Sequence, residues 1–140
     1  MGALKLSEAF AEYGAKLVDP QWAVSALTDD GSLVMSCWMH YFTKIDRVLR
    51  YEDSLSRWSV NAPGTNLFKQ HIEDALKNNR PVRLVIAKTD EIEAVDSGQD
   101  DSTVNRDFYS RPDMIGRVTH FDGDKFIVDF QRETTKLRII

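Results

Sequence analysis

The chain has 140 residues, of which 42% are hydrophobic, 29% charged and 10% aromatic. This length suits one ordinary domain, and the composition is that of a globular core, which excludes a disordered or collagen-like chain. A formal net charge of −4 counts against a nucleic-acid partner unless positive charge is concentrated locally. We expect a single domain over residues 1–140.

No apolar run is long enough to span a bilayer, and the N-terminus lacks the basic-then-apolar order of a signal peptide. The one cysteine, Cys37, excludes an intramolecular disulfide and is typical of a reducing compartment. We therefore expect a soluble, cytoplasmic protein with no membrane partner.

Acidic charge is concentrated between Glu91 and Val104, where five acidic residues occur without a Lys or Arg. The rest of the chain carries 18 basic and 17 acidic residues. We expect a mobile acidic loop near residues 90–105, which would leave room for a basic patch elsewhere. Such a patch, unless these are only scattered surface charges, would consist of Arg47, Arg50, Arg57, Arg80 and Arg83.

The start of the chain predicts one helix and one hairpin. Apolar residues at spacings of three and four predict a helix over residues 7–17, and Asp19-Pro20 must end it. Alternating patterns over residues 21–27 and 33–42 flank a Thr-Asp-Asp-Gly turn, which indicates a hairpin. The second strand is apolar on both faces, so we expect it to be central in its sheet.

The middle of the chain has a weaker pattern. We expect a strand near residues 47–52 and a turn or short strand near 56–60. The Asn-Ala-Pro-Gly-Thr-Asn sequence at residues 61–66 breaks the pattern. We expect Thr65 or Asn66 to cap the helix that follows.

That helix should end near Asn78-Asn79, before a short apolar strand over residues 82–87. Apolar stretches over residues 115–120 and 126–130 flank Asp122-Gly123, which is a hairpin signal. Several mostly antiparallel strands with two main helices predict an α+β fold, built on a curled sheet or a small open barrel.

We find no convincing catalytic or metal-binding constellation in the sequence. On a strand, Cys37 and His40 would point to opposite faces and could not share a metal, and Cys37 is expected to be a buried hydrophobe. The candidates for a small metal-dependent hydrolase are Asp122, Asp124, Lys125 and Asp129, but turn chemistry around Gly123 explains Asp122 and Asp124. We expect a protein that is not an enzyme and has no cofactor.

Aromatic residues lie on or beside the predicted strands of the first half. Most should belong to the core, because packing explains at least two of the three tryptophans. Strands at the mouth of a small barrel can also use aromatic side chains to stack an extruded base, while neighbouring polar groups read its edge. The candidate base-binding residues are Trp22, Trp38, Tyr41, Trp58, Ser59 and Asn61.

Arginines and one helix start supply candidates for binding backbone phosphates. Amides at a helix N-terminus attract anions, although a plain cap after a turn is the simpler interpretation of residues 61–66. The candidate phosphate-binding residues are Arg47, Arg50, Arg57, Gly64 and Thr65.

The run Gly-Ala-Lys-Leu-Val-Asp-Pro-Gln-Trp at residues 14–22, the strand ending in Cys37-Trp38 and the turn at residues 61–66 resemble a group of uncharacterised bacterial proteins. Those proteins open with a similar Gly-Ala-x-Leu-x-Asn-Pro-x-Trp motif, sometimes ahead of an HNH nuclease domain. Here Asp19 replaces the usual Asn, and no HNH histidine pattern is present. The resemblance implies a stand-alone relative of a DNA-reading module, similar to the PUA-related domains that recognise modified bases in restriction systems.

The sequence leads to the hypothesis of a non-catalytic DNA-binding module that reads a modified or flipped base in a restriction or defence context, alone or beside a nuclease subunit. The alternative is a protein-interaction or regulatory domain, whose exposed sheet edge and acidic loop dock a partner while the aromatic residues are structural. A small metal-dependent hydrolase is the third and least favoured interpretation.

Overall fold

The computed structural model describes residues 5–18, 23–57, 63–97 and 106–133. Within these ranges the chain forms three helices and eight strands. The helices are α1 Leu6–Ala11, α2 Pro63–Lys77 and α3 Ile92–Asp96. The strands are β1 Ser25–Leu27, β2 Leu33–Trp38, β3 Phe42–Ile45, β4 Val48–Ser54, β5 Val82–Lys88, β6 Asp107–Ser110, β7 Met114–Phe121 and β8 Lys125–Arg132.

All eight strands belong to one sheet with the order β1-β2-β5-β7-β8-β4-β3, and β6 pairs with β5. Only β2 and β5 run parallel; the other pairs are antiparallel. The backbone N–H of Trp38 at the end of β2 donates to the Tyr51 hydroxyl of β4 at 3.0 Å, although three strands separate β2 from β4. The sheet is therefore strongly curled but open, which confirms the predicted α+β class.

Helix α2 closes the core against the curled sheet. Its apolar side chains Phe68, Ile72 and Ala75 are buried, as the helical spacing predicts. The Phe68 ring packs 5.0 Å from the ring of Phe126 on β8. In the described ranges, no helix combines the length and the apolar character needed to cross a membrane.

Helix α1 is shorter than predicted. We expected a helix over residues 7–17, but it ends at Ala11 because Gly14 takes a left-handed backbone conformation with φ +77°. The Ala15 N–H then bonds back to the Phe10 carbonyl, which is the usual way for a glycine to end a helix.

Strand β2 is central, between β1 and β5, as predicted. It ends at Trp38, however, and residues Met39–Tyr41 form a 3-10 turn where we expected the strand to continue to residue 42. This turn carries the chain to the other end of the sheet, where Phe42 packs 5.0 Å from Tyr51. The prediction that Cys37 and His40 point to opposite faces of a strand therefore does not apply.

Strand β4 lies where a strand was predicted near residues 47–52, but the sequence patterns missed β3 and α3. A hairpin joins β3 to β4 through Asp46 and Arg47, and Asp46 adopts a positive φ of 55°. Within the expected acidic loop, residues Ile92–Asp96 form α3, and residues 98–105 lie outside the described part of the chain. Helix α2 begins at Pro63, so Thr65 and Asn66 lie within its first turn and do not precede it as caps.

Candidate functional site

A cleft opens where β4 extends beyond its neighbour β3. The β3 ladder ends with the pair Phe42 and Tyr51, so the last three residues of β4 continue without it. The 3-10 turn before β3 and helix α3 form the facing wall. The cleft has a volume of about 490 Å³ and is lined by Tyr41, Glu52, Asp53, Ser54, Arg57, Asp96 and Lys125. This volume falls in the range of small-molecule sites.

A buried ion pair forms the floor of the cleft. The guanidinium of Arg57 donates to both carboxylate oxygens of Asp53, at 2.8 and 2.6 Å, and the two side chains are only 14% and 5% exposed. Burial opposes the charge on Arg57, but its bonds to Asp53 outweigh that effect and raise the pKa of the guanidinium. The pair is therefore a fixed, charged element of the site.

Tyr41 is the aromatic residue of the cleft. Its hydroxyl donates to Oδ1 of Asp96 at 2.5 Å, and the Arg57 guanidinium lies 5.0 Å from the centre of its ring. Burial and the bond to Asp96 raise the pKa of Tyr41, so the phenol stays protonated at neutral pH. The same bond lowers the pKa of the Asp96 carboxyl, which is therefore charged.

His40 packs against the ring of Tyr41 and lies close to the Asp96 carboxylate. Its ring centre lies 4.3 Å from that of Tyr41, and its Nε2 is 3.4 Å from Oδ1 of Asp96. This nitrogen is buried and makes no hydrogen bond within the described residues.

The outer rim of the cleft is charged and exposed. Lys125 of β8 lies 3.7 Å from the carboxylate of Glu52 of β4, with about half of each side chain in solvent. Exposed pairs of this kind are weak and exchange readily for contacts with a ligand. Glu52 and Lys125 are thus available at the mouth of the cleft, unlike Asp53 and Arg57 at its floor.

The lining has the chemistry of a binding site. An aromatic ring, carboxylate acceptors and positive charges together suit a planar ligand that carries hydrogen-bond donors and an anionic group. Among the described residues, no three His, Cys, Asp or Glu side chains are grouped as metal ligands would be. Cys37 is fully buried, and burial raises the pKa of its thiol well above the ordinary value, so it is an unreactive core residue.

The sequence-predicted base-binding residues have different positions in the structure. Tyr41 lines the cleft, whereas Trp38 is 5% exposed and belongs to the core. Predicted base-binding residues that lie outside the described residues are Trp22, Trp58, Ser59 and Asn61.

The predicted phosphate-binding residues are spread over three places. Arg57 lies in the cleft. Arg47 is exposed in the turn between β3 and β4, and Arg50 of β4 forms a bidentate bond with Asp129 of β8 at 2.8 and 2.9 Å. Gly64 and Thr65 lie in the first turn of α2.

The remaining two arginines of the suggested basic patch are engaged in ion pairs. Arg80 binds Asp74 at 2.5 Å, and Arg83 binds Glu133 at 3.1 Å. Most of the suggested patch is therefore neutralised locally.

The carboxylates considered for a hydrolase have structural partners. Asp122 accepts the backbone N–H groups of Asp124 and Lys125 in the hairpin turn. Asp124 accepts the N–H of Ser56 at 2.7 Å, and Asp129 binds Arg50. The Asp122 contacts confirm the turn chemistry read from the sequence, whereas the carboxylates of Asp124 and Asp129 bind residues outside the turn.

Four lining residues were not selected from the sequence as site residues: Glu52, Asp53, Ser54 and Asp96. Lys125 was considered only for a hydrolase. The spacing of four between Asp53 and Arg57 was the one available signal, since such spacing often indicates a local ion pair. Asp96 is 55 residues from Tyr41 in the chain, and no local pattern brings them together.

No protein-family model and no curated protein matches the chain. Two solved structures align with it weakly. One is a crystal structure of KRYPTONITE in complex with mCHG DNA and SAH, at 16% identity and a TM-score of 0.34. The other is KRYPTONITE in complex with mCHH DNA, an H3(1-15) peptide and SAH, at 15% identity and a TM-score of 0.35. Each alignment covers 94% of this chain and 26% of that chain, so this chain spans about a quarter of that length. Similarity at this level carries no weight for function.

Proposed function

We propose that this chain is a non-catalytic DNA-binding module that holds one extruded, modified base in the cleft beside Tyr41. The observation that carries the proposal is the convergence of the Tyr41 ring, the Glu52 carboxylate and the Lys125 ammonium on one cleft. A flipped nucleotide offers a matching set of groups: a planar ring, donors on the base edge and a phosphate.

The polar lining favours a base with an exocyclic amino group. Carboxylates accept hydrogen bonds, and the Glu52 carboxylate is exposed at the mouth of the cleft. Cytosine and adenine present an amino donor, whereas thymine presents a carbonyl at the equivalent position. The cleft also opens to solvent, which leaves room for a substituent on the base.

Positive residues near the mouth would hold the flanking phosphates. Lys125 lies at the rim, and Arg50 lies on the same strand as Glu52 and Ser54 and on the same face of the sheet. We expect Arg47, Gly64 and Thr65 to contact further phosphates of the DNA backbone. Phosphate contacts supply affinity without sequence preference, and the cleft would supply the selectivity.

The biological context is proposed from the resemblance of residues 14–22 to the bacterial motif proteins. A PUA-like reader of modified DNA in a restriction or defence system, working alone or beside a nuclease subunit, matches the open curled sheet and the cleft at its edge. A fold of this kind hosts many functions, so the site must be tested directly.

The experiment is a fluorescence-anisotropy titration of the full chain against short duplexes that differ only at one central position. The duplexes would carry unmodified cytosine, a cytosine or adenine bearing an added group, or a mismatched base that is easily extruded. We expect the modified or mismatched duplexes to bind more tightly, with an affinity that falls steeply as salt rises. Absence of binding to every duplex at low salt would refute the proposal.

A second candidate function is the docking of an extended protein segment on β3. This strand ends the sheet, residues 43–47 are exposed, and Ile45 is 45% exposed. An edge strand of this kind can accept another strand, although Lys44 discourages non-specific pairing. Replacing Ile45 by Lys should weaken such a partner and leave duplex affinity unchanged.

A further inference from the structure

Helix α3 is attached to the cleft by three polar contacts. The Tyr41 hydroxyl donates to Asp96 at 2.5 Å, His40 Nε2 lies 3.4 Å from the same oxygen, and Nη1 of Arg57 donates to the Val95 carbonyl at 2.8 Å. All three contacts join the last two residues of α3 to the cleft. The helix therefore forms part of the cleft wall through its C-terminal end.

These contacts occupy groups that a bound nucleotide would use. The Tyr41 hydroxyl and the Arg57 guanidinium are hydrogen-bond donors of the cleft, and the guanidinium lies 5.0 Å from the centre of the Tyr41 ring. Helix α3 provides an acceptor to each of them. One of those acceptors is a carboxylate, whose charge resembles that of a phosphate oxygen. A ligand acceptor that takes the Tyr41 hydroxyl proton must displace Asp96, because a hydroxyl has only one proton to donate.

Helix α3 is also short and has one buried side chain, so we expect its detachment to be reversible. The helix has five residues, and isolated helices of this length are not stable without packing. Val95 is its one buried side chain, whereas Ile92 is 42% exposed. Release of α3 would therefore break few apolar contacts and could occur without unfolding the sheet.

We propose that α3 is an internal competitor of the nucleotide: its C-terminal end occupies the Tyr41 and Arg57 donors in the free protein and leaves them when a ligand binds. The proposal rests on the proposed function of the same cleft. It assigns the acidic segment a regulatory role, in which the strength of the α3 contacts sets the apparent affinity. Ligand binding and α3 docking are then mutually exclusive.

The test compares Asp96→Ala, which removes the carboxylate that joins α3 to Tyr41, with the charge-matched control Glu93→Ala. Glu93 is an exposed residue of α3 that does not line the cleft, so its replacement reports the purely electrostatic gain. Tyr41 stays unchanged in both variants, because its hydroxyl is the donor that the ligand would use. We expect Asp96→Ala to bind the preferred duplex about fivefold or more tightly than Glu93→Ala does.

Hydrogen exchange of the α3 amides provides a second measurement that does not depend on affinity. In the DNA-free protein, exchange in residues 92–96 should be faster in Asp96→Ala than in Glu93→Ala. In the unmodified chain, exchange in the same residues should become faster when duplex is added. Unchanged exchange in Asp96→Ala, or stronger protection of α3 on duplex binding, would overturn the proposal.

The outcomes separate this inference from the proposed function. Suppose that Tyr41→Ala abolishes binding while Asp96→Ala binds no more tightly than Glu93→Ala. Base binding would then stand, and α3 would be an ordinary part of the wall. Failure of every variant, including Asp96→Ala, to bind any duplex would instead overturn both the function and the competitor.

Discussion

The Oγ of Ser25 on β1 lies 2.7 Å from Nδ1 of His71 on α2. Ser25 is buried, so this contact satisfies a hydroxyl that has little access to water. Neutral imidazole either accepts the hydroxyl proton at Nδ1 or donates to the serine oxygen, according to its tautomer, whereas a protonated ring only donates. The contact therefore joins α2 to β1 in either charge state of His71.

We predict that the protein loses stability as the pH falls below neutrality and that His71 causes part of this loss. Burial lowers the pKa of His71 below its ordinary 6.5, although nearby Asp74 opposes the shift. The unfolded chain therefore binds the proton more readily than the folded one. The stabilising effect is complete above the unfolded pKa and is lost as the pH falls toward the folded pKa.

Urea unfolding at about pH 7.5 and about pH 5.5 measures this effect. The difference in unfolding free energy between the two conditions should be smaller in His71→Gln than in the unmodified chain. An identical difference in both proteins would show that His71 does not contribute.

A second prediction concerns the ion pair at the cleft floor. Replacing Asp53 by Asn removes the negative partner of Arg57 and leaves a guanidinium that is only 14% exposed. We expect a loss of about 3 kcal/mol in the free energy of unfolding, because a buried charge without its partner is costly. Asp113→Asn breaks the exposed pair with Arg111 and should cost less than about 1 kcal/mol. Similar losses in both variants would contradict this ranking.

A third prediction tests the hydrogen bond that spans the curl of the sheet. Tyr51→Phe removes the acceptor of the Trp38 backbone N–H while keeping the ring contacts with Phe42 and Phe126. A buried donor without a partner costs about 1 to 3 kcal/mol, so thermal and urea unfolding should both shift by that amount. Tyr109→Phe, at an exposed tyrosine of β6, is the control and should leave stability unchanged. A Tyr51→Phe variant as stable as the control would mean that the bond contributes nothing.

The sequence predicted the elements whose residues carry local signals. Helix α2 has a clear apolar face, and the last hairpin turns at Asp122-Gly123, where Gly123 has a positive φ of 101°. The β3–β4 hairpin has no glycine: Asp46 takes the left-handed conformation instead, and aspartate also occurs in many other kinds of turn. The strand predicted near residues 47–52 corresponds to β4, but β3 and the turn that joins it to β4 were not recognised.

The site was less predictable because it is assembled from distant parts of the chain. Tyr41 and Arg57 could be selected as aromatic and basic residues near strands. Their partner Asp96 belongs to α3, which the acidic composition of its segment concealed. Trp38 is buried because β2 lies between two strands and because the sheet curls so that Tyr51 of β4 contacts the end of β2. Residue type alone does not distinguish a core indole from one that lines a site.

The most direct test of base binding at Tyr41 compares Tyr41→Ala with Tyr109→Ala by anisotropy titration of the preferred duplex. Tyr109 is an exposed tyrosine of β6 that does not line the cleft. Stacking on an aromatic side chain contributes about 1 to 3 kcal/mol per base. We therefore predict that Tyr41→Ala weakens binding by about tenfold or more while Tyr109→Ala binds like the unmodified chain, with both variants folded by circular dichroism. Equal affinities for the two variants would contradict the assignment of the cleft as the base-binding site.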